Sequence, residues 1–287
     1  MLSAILIMTA LHTAAGSEPG AAESKSAHVD GLKIHYTNYG QGPMAVVFVH
    51  GWTCDESVWE GQGTALVAQN IRAITIDLPG HGQSDKPQIA YTPDLSARAI
   101  AAVLDHAEVK TSVLVGHSLG TAAIRQMYRH SPGRVAALVV VDGALRPFGD
   151  AAMLENFIGP LRGPNYEKEM ARSIDGMTQQ VADPSARERI KASMGRSPQH
   201  VTVSAMEATL DPTLWKPDMI DVPVLMIMAR NPRWNTDYEQ FVQSFIPTLD
   251  YQVWDDVSHF LMMEKPREFT DSLVGFMRQH LLLPERS

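Results

Sequence analysis

From His28 onward, short β-rich runs alternate with segments of helical spacing, the order expected of a largely parallel sheet wrapped by helices. The pattern predicts strands over 32–37, 45–50, 72–77, 112–116, 136–141, 222–229 and 251–254. Val46-Val47-Phe48-Val49, Val113-Leu114-Val115 and Leu138-Val139-Val140-Val141 show no polar alternation, as strands covered on both faces require. Apolar positions at helical spacing predict helices over 95–106, 119–129 and 266–282, the last packing on the sheet as a closing helix. The alternation breaks once, over 145–215, where helix-compatible stretches carry Met153, Met170, Met177, Met194 and Met206 and no strand is evident. This is an insertion that leaves a strand at its carboxyl end, over the crevice where open α/β sheets bind ligands. Its methionines either line an adaptable wall for an apolar ligand or fill a small helical core, and core filling is the preferred reading.

The first 27 residues stand apart. An apolar run containing Leu2, Ile5, Leu6, Ile7, Met8 and Leu11 passes into small residues and then a polar stretch over 17–26. It resembles an export signal without the usual preceding Lys or Arg, and it is too short to span a bilayer, which takes about 20 apolar residues. A periplasmic or secreted product is expected; a mis-assigned start followed by a disordered tail is the alternative, which makes the protein cytoplasmic. The expected organisation is a leader and disordered tail over 1–27, a first core part over 28–144, a helical insertion over 145–215 and a second core part over 216–287. No later segment reads as a membrane-spanning helix, so no stable membrane insertion is expected.

Composition narrows the partners. The chain has 287 residues, 45% of them hydrophobic, enough for a sizeable core. Its 24 Lys and Arg stand against 32 Asp and Glu, a net charge of -8, and no basic run gathers the charge that phosphate binding needs, so nucleic acid is excluded as a partner. Cys54 is the single cysteine, which rules out an internal disulfide and a cysteine-based zinc cluster. It reads as a buried small residue rather than a nucleophile, because nothing near it in sequence lowers its pKa.

The candidate chemistry centres on Gly116-His117-Ser118-Leu119-Gly120, directly after a predicted strand and before a predicted helix. There a sharp turn forces the serine into a strained backbone, flanking glycines remove Cβ atoms that would collide, and the Ser118 hydroxyl stands clear above the sheet. Serine needs a base. Of 11 histidines, His259 fits best, because Val257-Ser258-His259-Phe260 follows the last predicted strand on the loop side shared with Ser118. His106, His130 and His280 fall on helices as solvated surface residues. No His-Glu-x-x-His or comparable spacing occurs, so no metal and no cofactor are expected. Acyl transfer develops an oxyanion that backbone N–H groups must already face. Leu119 supplies one amide, and Trp52, in His50-Gly51-Trp52-Thr53, the second. Gly51, His117 and Trp234 are candidate substrate-binding residues; the Trp52 side chain either lines an acyl pocket or packs.

Four motifs in order resemble the α/β-hydrolase family: His50-Gly51-Trp52, Asp77-Leu78-Pro79-Gly80-His81-Gly82-Gln83-Ser84, the Gly116–Gly120 elbow, and the segment from His259 to Pro266. The resemblance implies an α/β-hydrolase fold, a mostly parallel central sheet flanked by helices, with a helical lid inserted after the sixth strand. It also makes Asp77 and His81 loop-shaping residues. One departure stands out. Where many relatives carry the triad acid, this chain reads Arg230-Asn231-Pro232-Arg233. Asp142, closing Val139-Val140-Val141-Asp142, is the preferred substitute, holding the imidazole tautomer; a purely structural acceptor is its other reading. Asp237 is the reserve, and Asp255 and Asp256 read as solvated turn residues.

These residues point to a serine hydrolase of carboxylic esters on small or medium apolar substrates, acting through an acyl-enzyme. A small-molecule ester is the expected partner. A lactonase, a carbon–carbon bond hydrolase, a cofactor-free haloperoxidase and an acyltransferase share the same residues, and loss of the usual acid leaves open a non-catalytic ligand-binding member. A serine at the elbow argues against the dehalogenase and epoxide hydrolase chemistries, which use an aspartate there.

Overall fold

The structure, a computed structural model, describes residues 22–147 and 149–283. Its strands are β1 (Ala22–Val29), β2 (Leu32–Tyr39), β3 (Met44–Val49), β4 (Ala73–Ile76), β5 (Thr111–His117), β6 (Val135–Val141), β7 (Val224–Ala229) and β8 (Leu249–Trp254). They form one sheet in the order β1-β2-β4-β3-β5-β6-β7-β8. The β1–β2 and β2–β4 pairs are antiparallel and every later pair is parallel. The helices are α1 (Glu60–Val67), α2 (Pro93–His106), α3 (Gly120–His130), α4 (Ala151–Arg162), α5 (Tyr166–Thr178), α6 (Pro184–Met194), α7 (Gln199–Glu207), α8 (Thr236–Gln243), α9 (Leu261–Glu264) and α10 (Pro266–Gln279).

The unbroken apolar runs become the middle of the sheet. Every residue of β4 and β7 is buried, and β3, β5 and β6 are nearly so. Alternate residues of each strand feed the two sides: Val46, Phe48, Val113, Val115, Val139 and Val141 join one cluster with Trp59, Phe269 and Leu273. Val47, Val49, Leu114, Leu138 and Val140 join the other with Ile100, Val103, Ile124 and Met127. Thr92 caps α2 by accepting from the Leu95 amide, and Pro93 fits the first turn, where no amide is needed. The predicted insertion is the run α4 to α7, between β6 and β7. No helix among the described residues is long and apolar enough to cross a membrane.

The N-terminal assignment needs correction. Residues 22–27, placed above in a disordered tail, belong to β1, which pairs with the whole of β2 from Ala22–Tyr39 to Val29–Leu32. Only Ala27 of this strand is buried, so it is held by backbone bonds at a polar sheet edge and carries no hydrophobic signal. The export-signal reading lies outside the described residues. Helices α1 and α8 were also not foreseen; α1 is short and has scarcely any apolar face, while α8 starts from an Asn235 side chain that accepts from the Tyr238 amide.

A polar cluster locks the antiparallel side to the loop after β4. His35 Nδ1 donates to Asp77 Oδ2 at 3.0 Å, Asp77 also accepts the Glu56 and Gln83 amides, and Glu56 accepts the Thr37 and Thr75 hydroxyls. The bond to Asp77 raises the His35 pKa, with Glu56 adding to it against the opposing cost of burial. Burial works against ionising Asp77, but the bond from His35 and the two amides prevail and hold it below the usual carboxylate range. A histidine whose pKa is raised on folding stabilises fully below its unfolded pKa, about 6.5, and that contribution fades as pH climbs through the folded value. The melting-temperature gap between wild type and His35→Gln is therefore expected to be widest near about pH 6 and to shrink on the alkaline side. A gap that grows with pH would contradict this assignment.

Candidate active site

Ser118 follows β5 directly and sits at φ 52°, in the left-handed region that costs a non-glycine residue about 1–2 kcal/mol. The Ser118 amide donates to the Val141 carbonyl at 2.9 Å, so the strained residue stays tied to β6. Neighbouring backbone leaves no room for side chains around it. A Cβ on Gly120 would come within 2.6 Å of the His50 carbonyl, and one on Gly116 within 2.8 Å of the Gly120 carbonyl. A Cβ on Gly51 would lie 2.9 Å from both Ser118 Cβ and His117 Nδ1, so only glycine lets the loop after β3 pass this close to the elbow. Leu119 is the N-cap of α3, and its amide belongs to the helix terminus that lacks intrahelical acceptors.

His259 lies between β8 and α9, and its Nδ1 is 2.6 Å from Asp142 Oδ2. Asp142, one residue past β6, has φ 43° and a side chain 8% exposed. Its Oδ1 accepts the Ala229 amide at 2.9 Å and the Trp234 indole N–H at 2.8 Å. Gly143 must be glycine, because a Cβ there would overlap Thr121 Oγ1. With Nδ1 on the carboxylate, His259 keeps Nε2 for exchange with a substrate or a hydroxyl. Asp237 stands exposed in the first turn of α8, away from this pair, and exposed Asp255 pairs with Arg230.

His117, expected at the substrate, lines the cavity and also holds His259. Its Nε2 donates to the His259 carbonyl at 2.8 Å, its ring lies 4.7 Å from the His259 ring, and it is buried. Donation to a carbonyl puts the proton on Nε2, while Nδ1 is buried with no partner. Burial, and then the neighbouring His259, hold its pKa well below the ordinary value, so the brace is neutral. His50 is likewise a buried neutral ring: Nδ1 bonds to the Gly51 carbonyl and Nε2 accepts the Leu78 amide. His81 shapes its loop through Nδ1 and the Pro79 carbonyl, and burial drives its pKa down to about 3. Trp234, expected at the substrate, does line the cavity, but its polar atom faces Asp142. That pairing was missed, because an aromatic in a loop is indistinguishable in sequence from a wall residue.

Ser118, Leu119, Trp52, His259 and Asp142 open onto one cavity of about 670 Å³. Met153, Phe157, Met177, Met194 and Met206, from α4 to α7, face it from the insertion. Met170 does not line it and is buried, so both readings of the methionines hold, for different residues. The Trp52 indole donates to the Thr202 carbonyl of α7 and its ring packs 5.2 Å from Phe157, joining the loop after β3 to the insertion. Potential metal ligands cluster, among the described residues, at His35, Glu56 and Asp77, whose facing atoms already carry the bonds given above.

A sequence profile described as "Alpha/beta hydrolase family" matches residues 46–272, most of the chain, from within β3 to within α10. The chain belongs to the alpha/beta hydrolase family. Among its relatives is a non-heme chloroperoxidase of Streptomyces lividans, 35% identical over 115 residues, which are 39% of this chain and 42% of that protein. The chain thus spans less than half the length of such curated relatives. A solved N-acyl homoserine lactone degrading enzyme is 27% identical, with a TM-score of 0.73 over 88% of this hydrolase and 100% of the other. A thermophilic esterase from Thermogutta terrifontis shares the fold, with a TM-score of 0.78 at 20% identity over 90% and 99% of the two chains. Within this alpha/beta hydrolase the profile spans Ser118, Asp142 and His259 together.

Cys54 borders the cavity but is only 2% exposed, and burial, with Asp55 beside it, pushes its thiol far above the ordinary range. Thiolate is the reactive form. Native protein at neutral pH is expected to leave a thiol-specific reagent such as 5,5′-dithiobis(2-nitrobenzoate) unconsumed, and denatured protein to consume one equivalent. Rapid labelling of the native chain would refute the inert reading.

Proposed function

We propose that this protein is a serine hydrolase that cleaves carboxylic esters of small or medium apolar substrates through an acyl-enzyme. The observation that carries the reading is the 2.6 Å contact of His259 Nδ1 with Asp142 Oδ2, on the same cavity as an elbow serine at φ 52°. Ser118 Oγ attacks the acyl carbon as His259 Nε2 takes its proton, and Asp142 fixes the tautomer and stabilises the imidazolium. The Trp52 and Leu119 amides receive the oxyanion, with the positive end of α3 behind Leu119. The imidazolium returns its proton to the departing alcohol; a water then enters, loses a proton to His259 and releases the acid.

The helices α4 to α7 act as a lid whose sulfur-rich and aromatic wall suits an apolar acyl chain, and such unbranched side chains adapt to its shape. A lactone is the second reading. The 27% identical relative is a lactone-degrading enzyme, and opening a ring ester uses the same steps with the leaving alcohol still tethered. A purely ligand-binding role is disfavoured, because a strained serine and a matched imidazole–carboxylate pair have no need to persist without chemistry.

Release of 4-nitrophenol from its acetate and butyrate esters tests the proposal. Wild type is expected to turn over both and Ser118→Ala neither. Asp142→Asn is expected to lower kcat by on the order of 10³- to 10⁴-fold with Asp237→Asn nearly silent, as follows if Asp142 alone orients the imidazole. Equal rates for wild type and Ser118→Ala would overturn the reading, and the opposite ranking of the two aspartates would move the acid.

A further inference from the structure

The carboxylate facing His259 comes from the end of β6, while the loop after β7 supplies no acid. That loop is nonetheless built around the same carboxylate. The Ala229 amide, at the last residue of β7, and the Trp234 indole N–H both end on Asp142 Oδ1. The segment between them is shaped by its own bonds: the Asn231 side chain accepts the Arg233 amide at 3.0 Å, and the Asn231 carbonyl accepts the Trp234 amide at 3.0 Å. The indole packs on Tyr238 with the rings tilted by 50° and their centres 4.9 Å apart. Tyr238 is fully buried, and its hydroxyl accepts the Leu145 amide at 3.0 Å. The indole is therefore clamped by a rigid partner, and the carboxylate it touches is almost entirely shielded from water.

We propose that Trp234 is a positioning residue for the displaced acid, its indole N–H holding Asp142 so that Oδ2 is directed at the His259 ring. This inference rests on the triad assignment of the proposed mechanism. A carboxylate turns about its own bond unless its oxygens are engaged, and a single donor on Oδ1 leaves that rotation soft. Two donors from different directions fix the plane. The loop without a carboxylate thus contributes the donor that makes an acid on the neighbouring strand serviceable.

Trp234→Phe keeps an aromatic ring against Tyr238 and at the cavity wall while removing the N–H. A more basic Asp142 favours the charged imidazole, so the His259 pKa should rise by about one pH unit, the size expected for one lost charge-assisted hydrogen bond. The acidic limb of the kcat/KM profile should move with it, and kcat on 4-nitrophenyl butyrate should fall about tenfold with KM within about twofold. The titration is read by NMR of histidine labelled at Cε1, with His259 assigned from a His259→Gln sample and no substrate present. It therefore decides the proposal even if no ester is turned over, a result that would count only against the ester reading. Should Trp234→Phe fold poorly, 3-benzothienylalanine at position 234 preserves the bicyclic shape without the donor. An unshifted His259 titration, or a higher KM at unchanged kcat, would overturn the proposal and leave Trp234 as wall.

Discussion

The site depends on one buried carboxylate having every direction accounted for. Asp142 is shielded from water, so each oxygen needs a partner inside the protein. Oδ1 is met by the Ala229 amide and the Trp234 indole, and Oδ2 by His259. Three elements distant in sequence, the end of β6, the end of β7 with its loop, and the loop after β8, are thereby brought to fixed relative positions. His259 is held a second time through its own carbonyl by the neutral His117, so the elbow and the loop after β8 cannot drift apart independently.

Such closeness is permitted only by missing side chains. Gly51, Gly116, Gly120 and Gly143 each stand where a Cβ would press into backbone or a neighbouring side chain, and together they let β3, β5, β6 and the start of α3 converge. Ser118 and Asp142 both take left-handed backbone at adjacent strand ends, each tied into the next strand by its amide, Ser118 to Val141 and Asp142 to Ile227. Strain kept in this way marks places where the surrounding structure dictates the conformation, and both residues bear on the proposed chemistry.

The insertion works on the opposite wall. Its helices hold their own small core through residues such as Met170, Ile174 and Ile190, yet turn Met153 and Phe157, both partly exposed, toward the cavity. The Trp52 bond to Thr202 anchors this wall to the loop next to Ser118, so the cavity's apolar side and its polar floor are linked through one indole. The His35–Asp77–Glu56 cluster fastens the antiparallel strands to the loop bearing His81.

What the chain's residues determined by themselves was the architecture of the middle. Runs of Val, Ile and Leu long enough for a strand and lacking polar alternation can only be buried on both faces, and Gly-x-Ser-x-Gly between strand and helix has one economical backbone solution. Those signals are local, so the parallel strands, the strand–turn–helix around Ser118, the position of His259 in the loop after β8 and the strand-free stretch between β6 and β7 were legible. The polar strand β1 was not, because it is held by backbone bonds at an edge, and α1 was not, because it has almost no amphipathic pattern. Sequence preferred Asp142 to Asp237, but only the tertiary structure put a carboxylate against the His259 ring, because that contact depends on the path of the chain between β6 and the loop after β8. It also gave the cavity-lining Trp234 and His117 bonds to Asp142 and to the His259 carbonyl that were not foreseen, because a hydrogen bond between residues 92 or 142 positions apart is a property of packing and leaves no periodic trace in the sequence.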